Sequence, residues 1–163
     1  MSGLDPVKAN QFLLFTLSEP RYALELSVVE RVVQAVEIMP LPKAPPLVLG
    51  LINVRGQVIP VVDIRTCFGM PAREIIVGDQ FILARTSKRR VAVVADAVSG
   101  VIEPTEHQWV TASDVLPGAE FIRGVAKLDG SLILICDLNQ ILTLEAEPIL
   151  DANLANTLEA SAV

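Results

Sequence analysis

The sequence predicts a mainly β protein built from short strands, with helix confined to short pieces and the C-terminal tail. Val and Ile account for 21 and 13 of the 163 residues, while aromatics are only 4%. Such β-branched side chains are stiff at χ1 and pack well on a pleated sheet. The 11 Pro and 9 Gly are scattered, cutting the chain into short apolar pieces. Apolar residues make up 52% and charged residues 20%, a balance that supports a sizeable core and excludes disorder. Many short strands with frequent turn signals argue for small barrels or a sandwich.

Taken in order, Phe12 to Leu17 reads as a strand, Ser18 to Arg21 as a turn and Tyr22 to Leu26 as the hairpin partner. From Ser27 to Val33 the spacing of Val28, Val29, Val32 and Val33 suggests one or two helical turns. The chain then runs extended into Pro40, Pro42, Pro45 and Pro46, where no helix continues. Pro46 to Leu49 reads as a short helix. Strands are expected at Leu51–Val54, Gln57–Asp63, Gln80–Arg85, Arg90–Ala97 and Ser99–Ile102. Arg85 to Arg90 joins two strands, and Asp129-Gly130 marks the turn of a later hairpin. Leu132 to Cys136 reads as a strand buried on both faces, and Asp137 as the cap of a short helix, Leu138 to Leu142. Beyond Thr143, residues Ile149, Leu150, Leu154 and Leu158 recur at helical spacing, so the tail, 144–163, reads as a helix.

Thirteen Lys and Arg against 19 Asp and Glu leave a net charge of −6, which disfavours nucleic acid and anionic membrane surfaces as partners. Lys88-Arg89-Arg90, the one basic run, reads as a hairpin tip. No apolar stretch approaches the roughly 20 residues that span a bilayer. Met1 to Asn10 has no apolar core like that of a secretory signal. Cys67 and Cys136 read as buried thiols, and a cytoplasmic location follows as the default.

Catalytic patterns are missing. His107, the single histidine, reads as a surface residue, and a nucleophilic triad needs a base with an orienting partner. Cys67, Cys136 and His107 lack zinc-ligand spacing, and Gly50 and Gly56 lack the Lys-Ser/Thr of a phosphate loop. The carboxylate pairs Asp63 with Asp96 and Asp129 with Asp137 read as caps or solvated strand ends. The expectation is a protein that is not an enzyme and holds no metal or organic cofactor.

The segment Gly50 to Arg65, GLINVRGQVIPVVDIR, resembles the motif of the CheW-like domain family. The resemblance rests on an Asn-x-Arg-Gly turn (Asn53, Arg55, Gly56) and an apolar strand with Pro60 that ends in Asp63 and Arg65. FLLFTL with Tyr22, VAVVADAVSGV around Asp96, and Phe121 to Leu142 with Gly124 follow in family order. Residues 11–143 are thereby expected to form one CheW-like domain of two interleaved, SH3-like, five-stranded barrels around a shared apolar core. The match leaves no room for a kinase or receiver domain, which favours a stand-alone module.

The resemblance implies a chemotaxis adaptor that couples the cytoplasmic tips of chemoreceptors to the regulatory domain of the histidine kinase CheA, reaching membrane arrays only through these partners. It assigns Val29, Val98 and Val101 to a receptor groove with Arg55 at its edge. It assigns Val36 and Ile38 to kinase contact, as strand residues whose edge extends a partner sheet. Three positions depart from the family pattern: Arg31 stands where relatives often carry Glu, Ala97 where Gly is common, and Val110 where an Arg is more usual. Two rival readings remain open at this point, an adaptor of a pilus-linked or other non-flagellar array and a small-ligand-binding β-barrel.

Overall fold

The computed structural model describes residues 10–18, 21–111 and 120–145. Eleven strands form two sheets among them. The middle of the chain makes a five-stranded sheet from β3 (Val29–Gln34), β4 (Val48–Val54), β5 (Gln57–Val62), β6 (Gln80–Arg85) and β7 (Arg90–Ala95), in the order β3-β6-β7-β5-β4. Both flanks of the chain make a six-stranded sheet. Its strands are β1 (Phe12–Thr16), β2 (Arg21–Glu25), β8 (Ala97–Ile102), β9 (Trp109–Thr111), β10 (Ile122–Leu128) and β11 (Ser131–Cys136), in the order β8-β1-β2-β11-β10-β9. Each sheet contains one parallel pair, β5 with β7 and β2 with β11. Helix α1, Leu138–Glu145, follows β11.

The mainly β class is as expected, and the two sheets are consistent with SH3-like subdomains. The strand count differs, six and five rather than five and five, and neither ladder closes into a complete barrel. In the five-stranded sheet, the chain leaving β3 returns to β4 through a single antiparallel bridge, Met39 with Leu51. Gly50 permits that approach: a Cβ there would lie 2.2 Å from the Met39 carbonyl oxygen.

Alternation along the central strands explains why the apolar runs look almost continuous. In β7, Val91, Val93 and Ala95 face a core shared by both sheets, whereas Ala92 and Val94 face a core private to the five-stranded sheet. In β1, Leu13 and Phe15 face the shared core, and Phe12 and Leu14 join Ala23, Ile133 and Ile135 inside the six-stranded sheet. Asp137 caps α1 as expected, accepting the Gln140 N–H at 3.1 Å, and Leu138, Ile141 and Leu142 seal the shared core.

Three local expectations are corrected. Only Leu26–Val28 forms a helical turn, of the 3-10 type, and Val29 begins β3. A bulge between Val29 and Arg31 lets Val29 and Val32 share one face, which imitates helical spacing in a strand. Pro46 starts no helix, because β4 begins at Val48 and buries Leu51 and Ile52 on opposite faces. Leu132 is 63% exposed, so β11 is covered on both faces only from Ile133 onward. The expected tail helix with Ile149, Leu150, Leu154 and Leu158 lies outside the described residues.

Candidate functional site

The motif Gly50 to Arg65 is the β4–β5 hairpin and its exit. Arg55 and Gly56 make its two-residue turn, with φ of 51° and 82°, the left-handed pair that matches strand twist. Asn53 Oδ1 accepts the Gly56 N–H at 2.9 Å. Pro60 sits opposite Leu51, one residue before the ladder to β7 begins at Val61, so its missing N–H interrupts no pairing there. Asp63 caps the 3-10 helix Ile64–Phe68 by accepting the Arg65 N–H at 3.1 Å.

Arg65 is 1% exposed and lies at the seam between the sheets. One guanidinium nitrogen is 3.2 Å from Asp63 Oδ1 and the other contacts Asp96 Oδ1. Asp96 lies where the chain crosses from β7 to β8. It also meets Arg73, accepts the Ser18 N–H at 2.6 Å and donates its own N–H to Thr16 at 2.9 Å. Arg73 grips Asp79 with two hydrogen bonds of 2.8 Å, and Asp79 accepts the Ile76 N–H at 2.8 Å. Burial pushes the Asp79 carboxyl up, but the bonds from Arg73 and Ile76 and the arginine charges outweigh it, holding the group below its ordinary value. Hydrogen bonds and charges from Asp79 and Asp96 push Arg73 up against the opposing effect of burial, with the Asp79 bond the largest influence. Carboxylates and guanidiniums thus alternate through Asp63, Arg65, Asp96, Arg73 and Asp79. With each acid engaged by an arginine, the cluster suits clamping better than proton transfer.

The residues expected to bind partners are spread over this frame. Val29 and Val98 are half-buried against the shared core at opposite ends of β6, Val29 pairing with Ala84 and the Val98 N–H bonding Gln80 Oε1 at 2.8 Å. Val101, also on β8, is 48% exposed. Arg55 is exposed at the hairpin tip and is not gathered with Val98 and Val101. Its neighbours are Glu30, Arg31, Gln57 and Arg90, which with Val54, Ile59 and Leu83 line a hollow of about 290 Å³. Arg90 donates to Gln57 Oε1 and holds its Nε 2.9 Å from Glu30 Oε1.

Val36 and Ile38 are not strand residues. β3 ends at Gln34, and both lie in the extended segment that leads to the Met39 bridge. Val36 is 47% exposed, and Ile38 packs on the five-stranded sheet beside a groove of about 480 Å³ that includes Met39, Pro40 and Val58. Ala97 pairs with Thr16, and Val110 in β9 pairs with Val125 in β10. Cys136 is buried, which pushes its thiol pKa up and keeps it protonated, whereas Cys67 is half-buried. His107 is exposed. Among the described residues no group of three or more His, Cys, Asp or Glu could hold a metal, and no helix is long and apolar enough to cross a membrane. The sequence reading missed Arg73 and Asp79, which sit in a loop without periodic pattern; an Arg and an Asp six residues apart were the only signal.

Comparison with known proteins gives this geometry a context. The family model for the CheW-like domain matches residues 11–146. The chain is 32% identical over 138 residues to the Chemotaxis protein CheW of Thermotoga maritima, covering 85% of this chain and 91% of that one. To the Chemotaxis protein CheW of Rhizobium meliloti it is 29% identical over 133 residues, with 80% and 86% covered. The crystal structure of the scaffolding protein TtCheW from Thermoanaerobacter tengcongensis superposes with a TM-score of 0.72 at 30% identity, covering 80% of this chain and 90% of that one. With a matching motif, two interleaved sheets and a shared core, the chain belongs to the CheW-like domain family.

Proposed function

We propose that the protein is a cytoplasmic, non-enzymatic chemotaxis adaptor that couples chemoreceptor tips to the histidine kinase CheA, so that receptor state controls kinase activity. The relatives named as chemotaxis and scaffolding proteins support the adaptor class. One observation carries the site. Asn53 and Gly56 of the shared motif are occupied in the turn and Asp63 and Arg65 at the sheet seam, while Arg55 projects from the hairpin tip at a φ that a non-glycine residue adopts only at some cost. A side chain with five donors in a rigid fork, displayed this way, suits carboxylates and carbonyls on a helical hairpin. Val29, Val98 and Val101 supply apolar contact to the same partner, and Val36 and Ile38 meet the kinase regulatory domain beside the Met39 bridge. The domain acting in this way is 11–143, with 144–163 as an appended tail.

The test is Arg55→Ala, assayed against a receptor-tip fragment and the kinase regulatory domain. Receptor affinity falls by about 1–3 kcal/mol, the scale of a charged hydrogen bond, while kinase affinity and melting temperature stay close to wild type. Unchanged receptor affinity in the folded variant removes Arg55 from the site. Parallel loss of both partners with a lower melting temperature reassigns it to bracing its turn.

A further inference from the structure

The charge of this chain is strongly segregated. Three short segments, 29–31, 54–57 and 85–90, contain six of the 13 Lys and Arg and one of the 19 Asp and Glu, a local charge of +5. The remaining 150 residues carry −11. The topology brings the three segments to one end of the five-stranded sheet. Val29 pairs with Ala84 at the start of β3, Arg85 pairs with Arg90 across the β6–β7 hairpin, and Gln57, next to the Arg55 turn, is bonded by Arg90. Glu30, the single carboxylate of the set, is engaged by Arg90. Arg31, Arg55 and Arg90 surround the hollow there, and Arg85 and Lys88 are exposed on the neighbouring hairpin.

We propose that this end is an electrostatic docking surface for a carboxylate-rich protein segment, and that the Arg85–Arg90 hairpin speeds the arrival of that segment at Arg55. The inference rests on the adaptor reading for its partner, the receptor tip, but not for its chemistry. A cationic end on an otherwise anionic body attracts a compact acidic patch and orients it. A long polyanion such as duplex DNA would run on past the cationic end onto a surface of the same sign, which disfavours it. The surface also suits a protein segment better than a single small anion, because its cations come from three separate segments of the chain.

The experiment compares two double charge reversals with equal net change. Arg85→Glu with Lys88→Glu alters the hairpin, and Lys43→Glu with Lys127→Glu alters charge elsewhere. Association rates are measured by stopped flow with a receptor-tip fragment and, separately, with a synthetic Glu-rich helical peptide. Near 50 mM salt the hairpin pair slows association about tenfold and the control pair less than threefold. Near 500 mM salt, where screening shortens the reach of charge, the two pairs converge. Equal slowing by both pairs, or none, overturns the proposal, as does tighter binding of duplex DNA than of the peptide at the same end. If the peptide obeys the pattern and the receptor tip does not bind wild type, the docking surface stands and the adaptor reading falls. Circular dichroism checks the fold; if the hairpin reversal unfolds the protein, Arg85→Gln with Lys88→Gln replaces it, with about half the effect.

Discussion

Arg55 and Arg65 lie ten residues apart on one hairpin and its exit, and they are used in opposite ways. Arg55 sits on a left-handed turn in solvent, ringed by other cations around a single carboxylate. Arg65 is buried at the sheet seam between Asp63 and Asp96. A guanidinium tolerates burial only when carboxylates neutralise it, so the environment supplied by the fold decides which arginine braces and which one is displayed. The contrast extends to the two regions themselves. The seam alternates in sign and holds the subdomains together, whereas the tip accumulates one sign and faces outward.

The largest effect that can break this contrast is at the seam. Arg65→Ala leaves Asp63 buried without its partner and should lower stability by about 3–5 kcal/mol in denaturant titration. A loss below about 1 kcal/mol would place Arg65 among the exposed arginines in all but position. Acid provides an intermediate effect. The Asp79 carboxyl is held below its ordinary value of 3.8, so its stabilising contribution is complete above that pH and disappears as pH falls through the lower folded value. Melting temperature should therefore drop more steeply below about pH 4 in wild type than in Asp79→Asn, which starts lower. Parallel curves would detach Asp79 from the clamp. The smallest effect is at the tip. Arg55→Asn places a residue suited to the left-handed turn before Gly56 and should raise stability by about 0.5–1 kcal/mol. In the adaptor reading it weakens receptor binding at the same time. A stability gain with full binding would show the turn to be strained for no recognition purpose.

Much of the fold was legible because local rules and burial agreed. Phe12 to Thr16, Gln80 to Arg85 and the Asp129-Gly130 hairpin combine apolar runs with turn chemistry, and they formed where the patterns placed them. The β3 region was misread because a bulge gives a strand the spacing of a helix. Pro46 was misread because a helix-start signal yielded to burial of Leu51 and Ile52 on two faces. Val36 and Ile38 were placed in a strand that stops at Gln34, since nothing local marks where a ladder loses its partner.

Composition, the Pro and Gly punctuation and the motif around Arg55 were enough to determine the β class and the family. All of these depend on properties carried by residues close together in the chain. The joining of Asp63 to Asp79 through two arginines, and the gathering of six cations from three segments at one sheet end, were decided only by tertiary structure. The reason is physical. Charge interactions act over a few ångströms of space whatever the separation in sequence, and strand pairing sets those distances.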